Sequence, residues 1–177
     1  KYYVQWVNLS FQMWDVTDPA NTISVYGPAA GNTLWTGTNT ICEYNNDGDP
    51  ITLFDPLAKR WLMSQFALGF PDNFHQCIAV SATADPTGEW YLYDFLTSTT
   101  MMNDYPKFGV WPDGYYMTVN QFDGNSMGWG GAAAVVFQRE AMLLGQPALM
   151  IYLDLGQVTK DYGGILPSDL DGPAPQA

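Results

Sequence analysis

The sequence has 177 residues, of which 47% are hydrophobic and 15% aromatic, while only 14% are charged. This composition predicts a folded domain with a hydrophobic core, and it excludes a disordered chain or long solvent-facing helices, which need many Lys and Glu residues. Its 18 acidic residues against 6 basic ones give a net charge of −12, which disfavours nucleic acid and anionic membranes as partners and favours neutral sugars or cations such as Ca²⁺.

Apolar and polar residues alternate over most of the chain, and this period of two is typical of β-strands. One helical turn is predicted over residues 139–144, and the Pro- and Asp-rich segment 166–177 is predicted to be a connector or the start of a further unit. The predicted strands, in chain order, are 3–11, 11–15, 23–26, 51–54, 61–66, 76–82, 89–95, 107–111, 115–121, 132–138 and 148–155.

Two stretches of the sequence repeat one pattern. Asp49 and Asp104 each precede a Pro, a short strand, a turn with Pro and Asp, and a second strand that ends in Gln-Phe. The two aspartates stand about 55 residues apart, and four strands in ~50–60 residues is the size of a propeller blade. The repeat therefore predicts three blades over residues 1–44, 45–102 and 103–165.

The predicted fold is all-β, with β-propeller-type blades of four antiparallel strands. Propellers usually close with about four to eight blades, so about three blades predict an incomplete propeller. Further blades from the same chain or from another chain would then complete it, because open sheet edges and faces are costly. A β-sandwich is the alternative fold for the same strands.

The two cysteines, Cys42 and Cys77, bear on the cellular location. Few Lys residues and loops rich in Asn, Thr and Gly favour a secreted, extracellular protein, where a Cys42–Cys77 disulfide is expected. Two buried free thiols are the alternative. No signal peptide is visible and the chain starts in a strand pattern at Lys1, which we interpret as a processed or truncated end. No apolar run reaches the ~18 residues of a spanning helix, so no membrane insertion is predicted.

Several stretches resemble secreted bacterial β-propeller proteins of unassigned function, and this similarity covers most of the chain. The stretches are residues 47–50 with 60–66, residues 76–81 with 85–88, and residues 103–111. The resemblance implies a propeller fold and an extracellular location, and it implies no reaction. More distantly, residues 85–90 are similar to turns of five-bladed glycoside hydrolases and sialidases. They lack the residue order of the sialidase Asp-box, and Arg60 and Arg139 are the only arginines where sialidases need a cluster.

The aspartates that begin the repeats are the candidate catalytic residues. The strands that start at Asp49 and Asp104 would lie near a propeller axis, so the two carboxyl groups would meet at one mouth. Glycoside hydrolysis needs such a pair, one protonated and one ionised. The alternative is that a recurrent Asp-Pro pair only stabilises a turn.

A candidate metal site lies just before the first of these strands. Asn45, Asp47 and Asp49 place oxygen side chains at alternate positions around Gly48, which resembles the spacing of calcium loops. No bidentate Glu follows at the EF-hand distance. The alternative is that Asn, Asp and Gly simply form turns.

Aromatic side chains that stack on sugar faces are the candidate binding residues. They cluster in the third predicted blade together with a basic residue, and the alternative is that most of these rings belong to the core. The candidates are Tyr105, Lys107, Trp111, Tyr115 and Trp129.

Three functions fit these observations. The leading hypothesis is an extracellular propeller module that binds carbohydrate or another extracellular partner, with a structural Ca²⁺ ion as an option. The second is a glycoside hydrolase or lyase that uses the strand-start carboxylates. The third is a structural surface or assembly protein. The sequence leaves open whether the chain is an enzyme.

Overall fold

A computed structural model of the chain describes residues 1–170 and 172, and in it eleven strands form three antiparallel sheets. The all-β prediction is confirmed. Sheet I holds β1 (Tyr2–Val7), β2 (Ser10–Asp15) and β3 (Ile23–Ala30). Sheet II holds β4 (Ile51–Asp55), β5 (Arg60–Gly69), β6 (Asn73–Ser81) and β7 (Trp90–Ser98). Sheet III holds β8 (Met101–Trp111), β9 (Gly114–Asp123), β10 (Trp129–Phe137) and β11 (Met150–Asp154).

In each sheet every strand pairs with its neighbour in sequence, so each sheet is an up-and-down meander. Sheets II and III have the four antiparallel strands of a propeller-type blade. The open sheets fit a propeller-like arrangement, and they also fit the alternative sandwich arrangement. The helices are short, and none in residues 1–170 has the length and apolar character needed to cross a membrane. They are α1 (Ile41–Tyr44), α2 (Arg139–Leu143) and the 3-10 turns Gly31–Trp35 and Leu155–Gln157.

Several strand boundaries differ from the predicted ones. Strand β3 continues past the predicted end at Tyr26, through Gly27 and Pro28, to Ala30. The single strand predicted over 3–11 is the β1–β2 hairpin, because Asn8 adopts a left-handed backbone with a φ of 47° and turns the chain. The alternation continues across this tight turn, so the pattern did not reveal it. Strand β8 begins at Met101 rather than at Lys107. It passes through Pro106, which has no N–H, in an irregularity of the pairing between Asp104 and Lys107.

Sheet II lies between the other two sheets and contributes to two layers of core. Along β5, Leu62 packs with the buried residues of sheet III, whereas Met63 packs with those of sheet I. Both side chains are fully buried, and burial of such a side chain stabilises a fold by about 1.5–3 kcal/mol. The expected disulfide is confirmed: Cys42 of α1 is bonded to Cys77 of β6.

The segment after β11 returns across sheet III. The Thr118 hydroxyl donates to the Ile165 carbonyl at 2.6 Å, and the Leu170 amide donates to the Val110 carbonyl at 3.1 Å. In turn the Val110 amide donates to the Asp169 carboxylate at 2.7 Å. The start of the predicted 166–177 connector therefore lies along β8 and β9, while residues 171 and 173–177 lie outside the described part of the chain.

Candidate functional site

An open cleft of about 540 Å³ lies where the three sheets meet at one end. The β1–β2 turn, the start of β4 and the irregular part of β8 each contribute a wall, with residues 6–8, 49–51 and 105–107 respectively. We call this the Asp49 cleft. It brings together residues that are separated by about 100 positions in the chain.

The two candidate catalytic residues meet beside this cleft. The Asp49 carboxylate accepts a hydrogen bond from the Tyr105 amide at 3.2 Å, and Asp104 directly precedes Tyr105 in the chain. Partial burial of Asp104 and repulsion from Asp49 raise the pKa of Asp104, against the opposing effects of the Tyr105 amide and Lys107. The negative charge of Asp49 therefore disfavours ionisation of Asp104.

Lys107 and Tyr105 form the cationic and aromatic side of the same cleft. The Lys107 ammonium lies 3.2 Å from the centroid of the Tyr105 ring, and this ring is half exposed. In the described part of the chain the ammonium donates to the Pro106 carbonyl at 3.1 Å rather than pairing directly with Asp104. Burial lowers the pKa of Lys107, while the charges of Asp49 and Asp104 act in the opposite direction. The cation–π contact holds the exposed ring in one orientation.

The backbone around the cleft is strained at three points. Asn8, Asp49 and Tyr105 have φ values of 47°, 46° and 52°, in the left-handed region that residues other than Gly rarely adopt. Asn and Asp adopt this region more readily than other residues, so the cost, of the order of 1 kcal/mol, falls mainly on Tyr105. The strain at the bulky Tyr105 turns its amide toward the Asp49 carboxylate.

The other predicted binding rings lie elsewhere. Trp111, at the far end of β8, lines a different cleft with residues 165–168. Trp129 is partly exposed, but its indole N–H donates to the Lys160 carbonyl at 2.7 Å and its ring packs edge-on against Phe122. Tyr115 is fully buried, which corrects the expectation of an exposed ring there. The sequence pattern did not separate Tyr115 from the exposed rings, because strands buried on both faces lose their alternation.

The candidate metal residues divide between two places. Asn45 donates to the Asp47 carboxylate at 3.2 Å, and the same carboxylate oxygen accepts from the Leu68 amide at 2.7 Å. Asp49 instead faces Tyr105 of sheet III. Within residues 1–170 and 172, no group of three or more His, Cys, Asp or Glu side chains is arranged to hold a metal ion. Calcium binding stays a prediction from residue spacing.

A buried charged cluster, which the sequence did not suggest, joins sheets II and III at the opposite end of β4. The Asp55 carboxylate is fully buried and accepts from the Arg139 side chain at 2.7 and 3.1 Å and from the Tyr115 hydroxyl at 2.8 Å. Burial alone would raise the pKa of Asp55, but hydrogen bonds from Arg139, the Ala58 amide and Tyr115 hold it below its usual value. The partners are distant in sequence, so no local signal marked them.

His75, the single histidine of the chain, lies outside the Asp49 cleft. Its Nδ1 is hydrogen-bonded to the Asp94 carboxylate, and its Nε2 lies 2.7 Å from the Asn73 side-chain oxygen. Both ring nitrogens therefore have partners within sheet II.

The raised pKa of Asp104 predicts a specific pH dependence of stability. A carboxyl group with a raised pKa in the folded state stabilises the fold below its unfolded pKa of about 3.9, and this contribution is lost as pH rises through the folded pKa. Asp104→Asn removes the ionisation, so the variant should gain stability relative to the wild type as pH increases from about 4. Urea unfolding across this pH range measures the difference.

The matched control is Asp161→Asn, at an exposed position away from the cleft. The difference in the free energy of unfolding between this variant and the wild type should stay nearly constant with pH. If Asp104→Asn gives the same flat difference, the carboxyl pair is not coupled as described.

Comparison of the chain with protein families, with curated proteins and with solved structures found no match.

Proposed function

We propose that this chain is an extracellular, propeller-type binding module whose Asp49 cleft binds a neutral, hydroxyl-rich ligand of the carbohydrate class. One observation carries the proposal: a half-exposed aromatic ring, the Asp49 carboxylate and an ammonium group line one open cleft. Sugar recognition uses this combination, since a ring packs on the C–H face of the sugar while charged groups bond its hydroxyls.

The cleft groups are complementary to hydroxyls in both directions. The Asp49 carboxylate accepts hydrogen bonds, and the Lys107 ammonium donates them. The Tyr105 ring is already oriented by Lys107 and by the strained backbone. A ring that is oriented before binding loses little side-chain freedom when the ligand arrives, which lowers the cost of association.

The proposed extracellular location rests on the disulfide together with the acidic composition. Cys42 and Cys77 are bonded, and disulfides persist in oxidising compartments outside the cytosol. A structural Ca²⁺ ion at residues 45–49 remains a separate proposal that rests on spacing alone, since the side chains of Asn45 and Asp47 already have protein partners.

Glycoside hydrolysis or lyase chemistry is the second candidate. The raised pKa of Asp104 beside Asp49 favours it, because a carboxyl group with a raised pKa is suited to act as a general acid. The half-exposed Tyr105 ring with the Lys107 ammonium beside it favours binding instead, because hydrolysis does not require this pair. We therefore place binding first.

Substitution of the exposed ring tests the binding proposal. Screening a panel of neutral polysaccharides and oligosaccharides should identify a ligand, and Tyr105→Ala should weaken its binding about tenfold, the loss expected for one stacked ring. Titration calorimetry measures the affinity. Tyr162→Ala is the matched control, because Tyr162 is similarly exposed and does not line the cleft. The control should leave the affinity unchanged.

Two results would contradict binding at this cleft. One is a panel in which no neutral glycan binds, and the other is a ligand whose affinity survives both Tyr105→Ala and Lys107→Met. Release of reducing ends that disappears in Asp104→Asn would instead support the enzymatic candidate.

A further inference from the structure

Strands β4 and β8 occupy the same position in their sheets and run in the same direction. At one end, Asp49 before β4 contacts Tyr105 of β8. At the other end, Asp55 of β4 contacts Tyr115, which directly follows the β8–β9 turn. Each of the two strands is an edge strand of its four-stranded sheet. The Asp49 cleft is therefore built where these two strands begin.

Strand β1 runs in the opposite direction to β4. Its C-terminal end, at Val7 and Asn8, lines the Asp49 cleft beside the start of β4. Its N-terminal end, at Tyr2, lies beside Phe54 at the end of β4. An edge strand equivalent to β4 would run parallel to β4, so β1 does not occupy that position.

The packing shows which position β1 does occupy. The buried side chains of β1 and β2 pack against those of β5 and β6, the second and third strands of sheet II. Strand β1 thus corresponds to β5. Within residues 1–170 and 172, sheet I has no strand in the position that β4 and β8 fill in their sheets.

The edge of β1 that faces this position carries free backbone groups. The Val16 amide donates to the Lys1 carbonyl, and the pairing with β2 is in register from Tyr2 to Val7. In an antiparallel pair the hydrogen-bonded residues alternate, so Tyr2, Val4 and Trp6 direct their amide and carbonyl groups away from β2. In the described part of the chain no strand pairs with this edge.

One cleft lies at each end of the free edge. The Asp49 cleft lies at one end of β1. At the other end is a second cleft of about 570 Å³, lined mainly by the apolar surfaces of Tyr2, Phe54 and Trp61. Both clefts lie between β1 and β4, so the space beside the β1 edge is open at each end of the strand.

We propose that the free edge of β1 is an acceptor site for an extended peptide strand, which adds to sheet I antiparallel to β1 and parallel to β4. The occupant has the chemistry of the strands that fill this position in sheets II and III. It begins with an Asp-Pro type segment at the Asp49 cleft and continues with alternating apolar residues toward Phe54 and Trp61. Addition of a strand to a sheet edge gains main-chain hydrogen bonds, and pockets for alternate side chains select the sequence.

The proposed strand also connects to the Asp49 cleft. By analogy with Asp49 and Asp104, its first carboxylate would lie at the mouth of the cleft and reshape it. The strand proposal does not depend on carbohydrate binding, because its readouts are amide protection and thermal stability without any glycan.

The test uses the strand of sheet II as a probe. A synthetic peptide with the sequence of residues 47–56 is added to the intact chain, and in a second arm the same sequence is fused before Lys1 through a flexible Gly-Ser linker to raise its effective concentration. We expect slower hydrogen exchange at the amides of Tyr2, Val4 and Trp6, and a raised Tm of the fused protein. Binding of the peptide stabilises the folded state by mass action.

The matched control is the same peptide with N-methyl groups on alternate backbone nitrogens, which keeps every side chain and removes the main-chain donors. It should give no protection. The proposal is overturned if the fused strand leaves the three amides unprotected. It is equally overturned if the N-methylated peptide protects them as well, or if they are already protected by self-association that sedimentation detects at the working concentration.

Discussion

Arg139→Met is expected to lower the free energy of unfolding by about 3–5 kcal/mol, the largest loss we predict for a single substitution. The guanidinium makes two hydrogen bonds to Asp55, at 2.7 and 3.1 Å, inside the interface of sheets II and III. Removing it leaves the fully buried Asp55 carboxylate without its counter-charge. Denaturant unfolding at neutral pH measures the loss.

The sign of the pH dependence follows from Asp55. Its pKa is lowered in the folded state, so the stability it contributes is present above the unfolded pKa of about 3.9 and is lost as pH falls through the folded pKa. Without Arg139, burial favours the protonated carboxyl group. The deficit of Arg139→Met should therefore be largest at neutral pH and should shrink toward acid pH.

Two further variants separate charge from packing. Arg139→Met combined with Asp55→Leu removes both charges, and it should recover much of the loss, because the penalty comes mainly from the unpaired buried charge. Arg60→Met is the matched control, since within residues 1–170 the hydrogen bonds of the Arg60 side chain go to backbone carbonyls of its own turn. A loss of less than 1 kcal/mol for Arg139→Met would show that the Asp55 cluster does not hold the sheets together.

Removal of the disulfide is expected to cost about 4 kcal/mol. The bond between Cys42 and Cys77 closes an interval of 35 residues. Breaking it releases this loop in the unfolded chain, and the gain in conformational entropy lowers the free energy of the unfolded state by about 4 kcal/mol. Helix α1, which carries Cys42, has only four residues and is too short to be stable alone. We expect the segment around α1 to exchange its amide hydrogens fastest once the bond is lost.

The double variant Cys42→Ala, Cys77→Ala is compared with the wild type, and each protein serves as the control for the other. Unfolding of the wild type should shift to lower urea when reductant is added, and unfolding of the double variant should not respond to reductant. Both cysteines are fully buried, so the reductant is added to unfolded protein before refolding. A wild type that refolds with equal stability in reductant would contradict the predicted contribution.

Part of the candidate site was predictable because the chain repeats. Asp49 and Asp104 hold equivalent positions in two repeats, and equivalent strands that lie side by side place equivalent residues together. Tyr105 and Lys107 were predictable as members of the aromatic cluster with a basic residue in the third repeat. The strained conformation of Tyr105 was not predictable, since it depends on the irregular pairing around Pro106.

Other residues were assigned wrongly or missed for a related reason. In the sequence, Tyr115 cannot be distinguished from an aromatic residue on the surface. It is buried against Asp55 because the neighbouring sheet packs over it. Arg139 gave no signal at all, because its partner is 84 positions away. The β1–β2 hairpin was hidden for a local reason: a two-residue turn at Asn8 leaves the alternation unbroken.

The sequence by itself determined the all-β character, the disulfide partners and the four-strand period of sheets II and III, because strand alternation, two cysteines and turn residues act over short distances in the chain. Only the tertiary structure decided that Asp49 contacts Tyr105, that Asp55 pairs with Arg139, and that β1 runs against β4 and keeps a free edge. Burial, counter-charges and strand direction between sheets depend on which surfaces pack together, and that choice is made by the whole core rather than by any one segment.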